Sequence, residues 1–389
     1  MSDNAKTDEL DILRSFIDET DAELLRLFLG RMKIAEKIAD HKAKNALPIL
    51  NKDREDELLA DRVGKAPEEF KSGVSLFFTD IMDISKCVQE KSAVRAAPFF
   101  LKAAPFTVPE NPKTACQGVV GSYSEQAGRK LFGAGADFVF TESFEDVFRA
   151  LDKGEVDYGV LPIENSSAGE VSLTYELMSR YSFYIHGCAR VKADHTVAAL
   201  PGARLGEIKS VVSHEQALRQ CSRFVQGLGA APRMSENTAF AARTVAESGD
   251  TSLAAVCSAE CAARYGLEIL ADNITDREDN HTRFISVAKT PQISPQADII
   301  SISLSTPHSP GALYRILTRF AFYGLNLLKI ESKPVPYDVS HSIKRDVFDV
   351  IFFLDFNGNV RDEAVRTLLT NLNDELRYFR FLGNYSELL

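Results

Sequence analysis

The sequence predicts a multidomain protein: an all-α segment, then a larger α/β segment, then a smaller α+β segment. Three observations predict this order. Residues 10–42 have a long helical pattern, the middle of the chain alternates strands with helices, and two proline-bearing linkers separate the segments. The three segments are residues 1–92, 115–290 and 297–389. A chain of 389 residues is long enough for two or three domains, at about 100–200 residues each.

The first segment is predicted to contain three helices. The first runs from Leu10 to Lys42, the second begins after Asn51, and the third spans about residues 68–89. At about 1.5 Å per residue, the first helix would be roughly 50 Å long. A segment of this size cannot enclose such a helix, so we expect a partner helix or an intertwined dimer.

Two cations interrupt the apolar stripe of this first helix. Arg31 and Lys42 fall within roughly 40° of the direction set by Leu24, where the other side chains are apolar. One explanation is that their long stems cover apolar surface while their charged ends reach water. The other is that both are buried and meet a counter-charge, which is Asp53, Glu55 or an anionic ligand.

A set of positions in this segment is more specific than the stripe alone: Leu13-Arg14, Arg31, Lys42, Pro48, Arg54-Glu55, Ser85 and Gln89. The set resembles the helical chorismate mutase domain of bifunctional chorismate mutase/prephenate dehydratases. The resemblance implies that cations hold the two carboxylates of chorismate while it rearranges to prephenate in an intertwined dimer. Asn51 stands in this set where the family usually has Asp.

The same resemblance implies a role for each of these positions. Arg31 and Arg54 would bind carboxylates, and Arg14 would do so from the other subunit. Lys42 and Gln89 would face the ether oxygen, and Glu55 would face the ring hydroxyl. The catalytic set is completed by Ser85 and Asn51.

The middle segment is predicted to be an α/β domain. Apolar runs typical of strands occupy residues 156–163, 210–212, 253–257 and 284–288, with helical patterns between them. One of these helices is predicted to begin at a capping box whose first residue is Ser143. Such alternation is typical of a sheet covered by helices.

Three stretches of the middle segment place polar groups at the ends of strands: Gly118–Ser124, Pro162–Gly169 and His281–Phe284. Backbone N–H groups and hydroxyls at a strand-to-helix turn can hold a carboxylate. The third stretch also places the hydroxyl of Thr282 beside a cation. Each stretch taken alone also has a purely structural explanation, as a helix cap, a turn or an ordinary strand residue.

Together with residues 213–218, the three stretches resemble prephenate dehydratases in order and spacing, over roughly residues 116–289. The resemblance implies two α/β lobes with the site in the cleft between them, similar to periplasmic binding proteins. The implied reaction removes CO2 and water from prephenate to give phenylpyruvate, and no cofactor or metal is expected. Val119 stands where the family has Pro.

This resemblance also implies which residues act in the cleft. Within the catalytic motif Thr282-Arg283-Phe284, Thr282 would protonate or hydrogen-bond the leaving hydroxyl, and Arg283 would hold a carboxylate. The substrate would be bound by Ser122, Asn165, Ser166, Ser167, Ser213, His214 and Gln216.

The last segment is predicted as strand, helix, strand, strand, helix, strand, which is the order of a ferredoxin-like split βαβ fold. Ser309 and Pro310 are predicted to be the N-cap and the first residue of its first helix. The stretches Gly311–Tyr314 and Glu331–Pro334 resemble the ACT regulatory domain of the same family, with Lys333 where Arg is usual. A βαβ fold with a purely structural role is the alternative.

The ACT resemblance implies that L-phenylalanine is an effector that inhibits both activities. It would bind between paired domains, so a homodimer or homotetramer is expected. The residues of this allosteric site would be Gly311, Ala312, Leu313, Asn326, Leu327, Glu331 and Ser332.

Composition excludes several classes of function. The chain carries 45 Lys and Arg against 55 Asp and Glu, with a net charge of −10 and no basic run, so nucleic acid is a poor candidate for a partner. No apolar stretch approaches the length of a membrane span, and the first ten residues lack the apolar core of a signal peptide. We therefore expect a cytoplasmic protein with reduced cysteines. The spacing of Cys257 and Cys261, without a second pair, predicts no metal site.

The leading hypothesis is a bifunctional chorismate mutase/prephenate dehydratase of phenylalanine biosynthesis, with chorismate and prephenate as substrates. One alternative is a dehydratase whose mutase domain is weakened or inactive. Another is a two-lobed amino-acid sensor without catalytic activity. A mutase fused to a prephenate dehydrogenase would need a dinucleotide-binding fingerprint, which this sequence lacks.

Overall fold

The computed structural model describes residues 2–92, 106–166, 169–277, 279–334 and 350–389. Within it the chain forms two compact units. The first unit comprises Met1–Phe100, Thr306–Leu327 and Val360–Arg377, and the second comprises Leu101–Ser305, Leu328–Asn359 and Tyr378–Leu389.

The N-terminal segment contains the three predicted helices. They are α1 (Ser2–Lys44), α2 (Lys52–Gly64) and α3 (Lys71–Ser92), with a single 3₁₀ turn at Glu68–Phe70 before α3. Ala35 and Ala39 are buried on α1, whereas the apolar side chains of Leu13, Ile17 and Leu24 are 54%, 60% and 45% exposed. An apolar stripe therefore runs uncovered along much of this helix within the single chain.

The middle segment alternates strands with helices, as predicted. Its strands are β1 (Lys113–Gln117), β2 (Asp137–Thr141), β3 (Tyr158–Asn165), β4 (Gly169–Glu170), β5 (Tyr184–Lys192), β6 (Thr196–Ala199), β7 (Ser210–Ser213), β8 (Ala231–Met234), β9 (Leu253–Cys257), β10 (Glu268–Ala271) and β11 (His281–Ala288). Its helices are α4 (Tyr123–Phe132), α5 (Phe144–Lys153), α6 (Ser172–Arg180), α7 (Glu215–Gln220), α8 (Ser222–Leu228), α9 (Thr238–Ser248) and α10 (Ala259–Arg264).

The C-terminal segment follows the predicted order of strand, helix, strand, strand, helix, strand. Its elements are β12 (Ile299–Ser305), α11 (Ala312–Phe322), β13 (Leu327–Pro334), β14 (Val350–Asn357), α12 (Glu363–Glu375) and β15 (Phe379–Tyr385), followed by the short β16 (Glu387–Leu388). The start of α11 was predicted wrongly. Gly311, not Ser309, is its N-cap, and Gly311 has a φ of +77°, a conformation that glycine adopts without strain.

Three sheets form in the second unit among the residues described. The first sheet has the strand order β16-β5-β11-β3-β1-β2, with β4 paired to β3. The second sheet has the order β10-β6-β9-β7-β8, and the third has the order β13-β14-β12-β15. In the third sheet β12 runs antiparallel to both β14 and β15, which is the strand arrangement of the predicted split βαβ fold.

The register of two central strands of the first sheet decides which side chains share a face. β11 pairs antiparallel with β3, so that Thr282 lies opposite Asn165 and Arg283 lies opposite Glu164. Successive side chains of a strand point to opposite faces of the sheet. One face therefore receives Asn165 and Thr282, and the other receives Glu164 and Arg283.

The third sheet shares a hydrophobic core with the first. Phe353 on β14 packs against Tyr175 on α6 with ring centroids 4.8 Å apart, and both belong to a buried cluster that includes Leu161 and Ile285. Each buried aliphatic or aromatic side chain stabilises such a core by about 1.5–3 kcal/mol. The third sheet is therefore packed directly behind β3 and β11.

All six cysteines are buried and carry free thiols. Burial raises the pKa of Cys87, Cys116, Cys188 and Cys221 to about 12 in each case. These thiols are therefore protonated at neutral pH. No helix in the described part of the chain is both long enough and apolar enough to cross a membrane.

Candidate active sites

A cleft of about 290 Å³ lies in the second unit and takes its walls from elements of the first and second sheets. Strands β3 and β11 of the first sheet contribute Asn165, Thr282 and Phe284, and the start of α4 contributes Ser122. Next to the second sheet, α7 and its N-cap contribute His214, Gln216 and Gln220, and the start of α9 contributes Asn237 and Thr238. The cleft thus collects several residues that the sequence predicted, although they are far apart along the chain.

Thr282 and Asn165 form the centre of the cleft. The side-chain amide Nδ2 of Asn165 donates a hydrogen bond of 2.8 Å to the hydroxyl oxygen of Thr282. Because the Thr282 oxygen accepts from this amide, its own proton is free to be donated to a group in the cleft. This is the arrangement expected of a residue that donates a proton or hydrogen bond to a leaving group.

The amide of Asn165 is held in turn by three side chains. Its Oδ1 accepts from Nε2 of Gln216 at 3.0 Å and from Nε2 of Gln220 at 3.5 Å. Its Nδ2 also lies 3.2 Å from Oδ1 of Asn280. Gln220 and Asn280 were not predicted from the sequence. Gln220 lies one helical turn after Gln216 on α7, and this spacing was the signal that could have identified it.

An aromatic pair, the buried His195 and the half-buried Tyr123, extends this network. His195 Nε2 lies 3.2 Å from Oε1 of Gln220, and His195 Nδ1 lies 3.1 Å from the hydroxyl of Tyr123. Burial lowers the pKa of His195 and raises the pKa of Tyr123 well above its usual value. Both side chains are therefore neutral at pH 7, and the polar wall of the cleft carries no charge at these two positions.

Two helices begin at the cleft. The side chain of Ser122 caps α4 by accepting from the backbone N–H of Glu125 at 3.3 Å. Asn237 caps α9 by accepting from the backbone N–H of Phe240 at 2.7 Å. The start of a helix carries a partial positive charge and unpaired N–H groups, so both ends favour carboxylates in this cleft.

Arg283 lies on the other face of β11. Its guanidinium NH1 is 2.9 Å from Oδ2 of Asp355, and its Nε is 3.2 Å from Oε1 of Glu387. The predicted role of Arg283 in holding a substrate carboxylate does not fit this geometry. Adjacent residues of an extended strand point to opposite faces, so Thr282 and Arg283 cannot both face the cleft.

The remaining predicted dehydratase residues have structural contacts of their own, and of Ser166, Ser213 and His214 it is His214 that lines the cleft. Ser166 donates to the backbone carbonyl of Asp279 at 3.0 Å, and Ser213 is buried and donates to the carbonyl of Val256 at 2.6 Å. His214 caps α7 by accepting from the backbone N–H of Gln216 at 3.2 Å. Ser167 lies outside the described residues.

In the first unit, Arg31 reaches across from α1 to α3. Its NH1 donates to the backbone carbonyl of Ile81 at 3.0 Å and to the hydroxyl of Ser85. Gln89 follows one turn later, and its buried Oε1 has no hydrogen-bond partner among the residues the structure describes. Burial lowers the pKa of Arg31. Three predicted mutase residues therefore lie together, and the guanidinium of Arg31 is the donor among them that an anionic ligand would accept from.

Lys42 and Glu55 form the next part of this region. The Nζ of Lys42 donates to the backbone carbonyl of Ile49 at 2.6 Å. Burial lowers the pKa of Lys42, and the nearby carboxylate of Glu55 opposes that shift. Glu55 itself lies 3.4 Å from Nζ of Lys86 and 3.5 Å from NH2 of Arg315.

Three other predicted mutase residues make local contacts. Asn51 caps α2 by accepting from the backbone N–H of Arg54 at 3.1 Å. Arg54 pairs with Glu57 at 2.7 Å and is exposed. Arg14 pairs with Asp11 at 3.1 Å and is also exposed. The structure does not bring these side chains to Arg31 within one chain.

The predicted effector residues occupy three places. Gly311, Ala312 and Leu313 lie at the start of α11, and Asn326 immediately precedes Leu327, the first residue of β13. Further along β13, Glu331 is half-buried and Ser332 is exposed.

Family models match both the first segment and the middle segment of the chain. The model described as "Chorismate mutase type II" matches residues 13–90, and the model described as "Prephenate dehydratase" matches residues 114–292. The first match contains Arg31, Lys42 and Glu55, and the second contains Asn165 and Thr282.

Relatives match in the same way. A bifunctional chorismate mutase/prephenate dehydratase of Aquifex aeolicus (strain VF5) is 30% identical over 385 residues, which cover 98% of this chain and 99% of that protein. The arogenate dehydratase/prephenate dehydratase 1 of Arabidopsis thaliana is 37% identical over 278 residues, or 69% of this chain and 70% of the plant protein.

A solved structure agrees with these matches. The crystal structure of a prephenate dehydratase from Arthrobacter aurescens in complex with L-Phe has a TM-score of 0.63 and 30% identity, and the match covers 70% of this chain and 89% of that one. The Aquifex aeolicus relative matches across both segments, over almost the whole length of each protein. The chain therefore belongs to the family of bifunctional chorismate mutase/prephenate dehydratases.

Proposed function

We propose that the chain carries out both reactions of its family in phenylalanine biosynthesis, each at its own site. It rearranges chorismate to prephenate as an isomerase, and it converts prephenate to phenylpyruvate as a lyase. The observation that carries the second activity is the hydroxyl of Thr282, held at 2.8 Å by the amide of Asn165 in the cleft. Residues 1–92 and 115–290 are the proposed mutase and dehydratase domains.

In the dehydratase reaction Thr282 acts on the leaving hydroxyl. Its proton goes to the ring hydroxyl of prephenate, the C–O bond breaks and water leaves, and a proton from solvent then returns to the Thr282 oxygen. The bond between the ring and its carboxylate also breaks, which releases CO2. The electron pair of that bond completes the aromatic ring. Since aromatisation drives the reaction, positioning and a single proton donor are sufficient.

The carboxylates of prephenate are bound by the starts of α4 and α9. The pair of helix ends is proposed in place of Arg283, because that guanidinium is already occupied by Asp355 and Glu387. Ser122 and Asn237 mark the two helix starts that line the cleft.

In the mutase reaction Arg31 binds a carboxylate of the substrate, and Lys42 and Gln89 donate to the ether oxygen. The half-buried Arg31, which donates to Ser85 one helical turn before the buried Gln89, supports this proposal. The side-chain N–H₂ of Gln89 has two protons and donates one of them to the backbone carbonyl of Ser85 at 3.3 Å, so the second can be donated to the ether oxygen. No covalent intermediate is needed, because compression and charge stabilisation supply the acceleration.

We also propose that two copies of the chain pair along α1. The exposed apolar side chains of Leu13, Ile17 and Leu24 support this, since such a stripe is unfavourable in water. Arg14 lies beside Leu13 on the same exposed stretch, from which it would reach the site of the partner subunit. A dimer, or a tetramer of two dimers, is therefore expected.

The segment 297–389 is the proposed ACT regulatory domain, with L-phenylalanine as the feedback inhibitor of both activities. The strand order of the third sheet supports this proposal, as does the L-Phe present in the Arthrobacter aurescens structure. Calorimetry with phenylalanine should detect saturable binding to the full chain. An absence of binding heat, together with an unchanged rate in phenylalanine, would contradict the proposal.

The decisive test of both activities is to supply purified protein with chorismate and, separately, with prephenate. T282A should lose phenylpyruvate formation by at least about 100-fold and retain the mutase rate. R31A should show the reverse pattern. The matched controls are T244A, at an exposed threonine of α9, and R26A, at an arginine of α1 that is 71% exposed. Equal loss of both rates in T282A or R31A would contradict separate sites.

A further inference from the structure

Two charged side chains lie directly behind the catalytic pair. Asn165 and Thr282 face the cleft, and their chain neighbours Glu164 and Arg283 face the opposite side of the same two strands. Each of these neighbours forms an ion pair with the third sheet. Lys329 on β13 is 2.7 Å from Oε2 of Glu164, and Asp355 on β14 is 2.9 Å from NH1 of Arg283.

The Arg283 pair is shielded from water. Its two side chains are 13% and 15% exposed. Asp355 also accepts a hydrogen bond from the hydroxyl of Ser301, which in turn lies 2.7 Å from the hydroxyl of Tyr385. Asp355 is thus fixed by the third sheet itself, and it transmits the position of that sheet to Arg283.

The Glu164 pair connects to the effector segment. Lys329 lies 5.5 Å from the ring centroid of Tyr175, and its Nζ is 4.0 Å from Glu331. Glu331 is one of the predicted phenylalanine-binding residues and lies on the same strand as Lys329. A change at Glu331 therefore alters the charge environment of the lysine that holds Glu164.

Stability alone gives no reason for these pairs. The first and third sheets already share a hydrophobic core that contains Leu161, Ile285 and Phe353. Replacing a buried ion pair such as Arg283–Asp355 with apolar side chains is often neutral or stabilising, because burying two charges costs desolvation energy. The side chain of Glu164 is 41% exposed, and an exposed ion pair typically contributes only about 0–1 kcal/mol. An ion pair does differ from apolar packing in one respect, since it fixes the direction of a side chain.

We propose that the pairs Glu164–Lys329 and Arg283–Asp355 are positioning contacts, through which the third sheet sets the geometry of Asn165 and Thr282. The inference rests on the proposed dehydratase function. Each positioning residue acts through the peptide that joins it to its catalytic neighbour. Phenylalanine bound at β13 changes the dehydratase rate by shifting these two pairs. The regulatory segment thus controls the position of Thr282 from the face of the sheet opposite the cleft.

The test uses the full-length protein with three variants. K329M and D355N each remove one charge, and D355E keeps the charge as the conservative variant. The control is R149M, which breaks the exposed pair of Arg149 with Glu145 on α5. Initial rates of phenylpyruvate formation give kcat and KM, the mutase rate of each preparation reports the other site, and a phenylalanine titration gives the half-inhibitory concentration.

K329M and D355N should lower the dehydratase kcat by about 10-fold to 100-fold with KM within about threefold, because small displacements at a reacting centre are costly. D355E should recover much of the loss. K329M should also raise the half-inhibitory phenylalanine concentration by at least about fivefold, the lower range of typical coupling. The mutase rate and the R149M variant should remain at parent values.

Two results would overturn the inference. One is an unchanged dehydratase kcat and phenylalanine response in both K329M and D355N. The other is a lowered unfolding temperature without a kinetic change, which would make the pairs merely structural. Failure of the proposed function looks different, since the parent protein itself would then produce no phenylpyruvate from prephenate.

Discussion

Replacement of Asn165 by aspartate tests the assignment of the proton donor most directly. The two side chains have nearly the same shape, but N165D replaces an N–H₂ donor with a carboxylate oxygen. That oxygen cannot donate to Thr282 across the 2.8 Å contact. The hydroxyl of Thr282 would instead donate its proton to the introduced carboxylate. Thr282 would then no longer offer its proton to the leaving hydroxyl.

The size of the effect follows from the loss of one oriented donor. Removing such a donor typically lowers kcat by about 10²–10³, or about 2.7–4 kcal/mol of transition-state stabilisation. Gln216 donates to the same side chain at 3.0 Å and keeps its partner, whereas Oδ1 of Asn280 and the backbone carbonyl of His281 lose the Nδ2 donor, so the unfolding temperature of N165D is measured beside its rates. We expect N165D to lower the dehydratase kcat by at least about 100-fold and to leave the mutase rate unchanged.

The assay is phenylpyruvate formation from prephenate between pH 5 and pH 8, with N373D as the control. Asn373 is an exposed residue of α12, so N373D adds the same charge without touching the cleft. Protonation of the introduced carboxyl restores a donor, so the ratio of variant to parent rate should rise as the pH falls. A ratio that is constant with pH, or a rate within about threefold of the parent, would refute the reasoning.

Three further predictions concern stability. R319M should destabilise the first unit by about 3–5 kcal/mol in denaturant unfolding, because it leaves Glu375 without its buried partner. G383A should cost about 1–3 kcal/mol, since a methyl group at Gly383 would clash with the backbone carbonyl of Ile185. The pKa of His186 is lowered to about 4 by burial, so the unfolded state binds more protons between pH 6.5 and pH 4. Stability should therefore fall as the pH drops through that window. H186Q should remove about 2 kcal/mol of the decrease between pH 7 and pH 5, measured by denaturant unfolding at each pH.

Each of these has a clear contrary result. An R319M protein within about 0.5 kcal/mol of the parent would mean that the ion pair makes no net contribution. Unchanged stability of G383A would mean that β15 shifts away from β5 without cost. An equal pH dependence in parent and H186Q would show that other groups cause the acid sensitivity.

Much of the architecture was predictable because the patterns are long. The 3.6-residue period identified the three helices of the first segment, and Ser143 was correctly predicted to cap α5. The start of α11 was less accessible. Ser309-Pro310 has the composition of a helix start, but the chain turns once more through the positive φ of Gly311 before the helix begins.

The dehydratase cleft was only partly predictable, and β11 shows why. The strand is buried on both faces over its second half, so no alternation of polar and apolar residues indicates which face each side chain takes. Thr282 and Arg283 are adjacent in one motif and were assigned to one site, yet they point to opposite faces. Asn280 was missed for another reason, since only the fold brings it to Gln220.

The buried thiols provide built-in reporters of local opening. An alkylating reagent reacts with the thiolate, and burial both shields Cys87, Cys116, Cys188 and Cys221 and raises their pKa to about 12. Labelling at any of these positions therefore requires the surrounding structure to open first. Cys87 lies on α3 in the first unit, whereas Cys188 lies on β5 beside the strand that carries Thr282. The rates of modification, followed by mass spectrometry, would measure how firmly each catalytic region is closed, without any engineered probe.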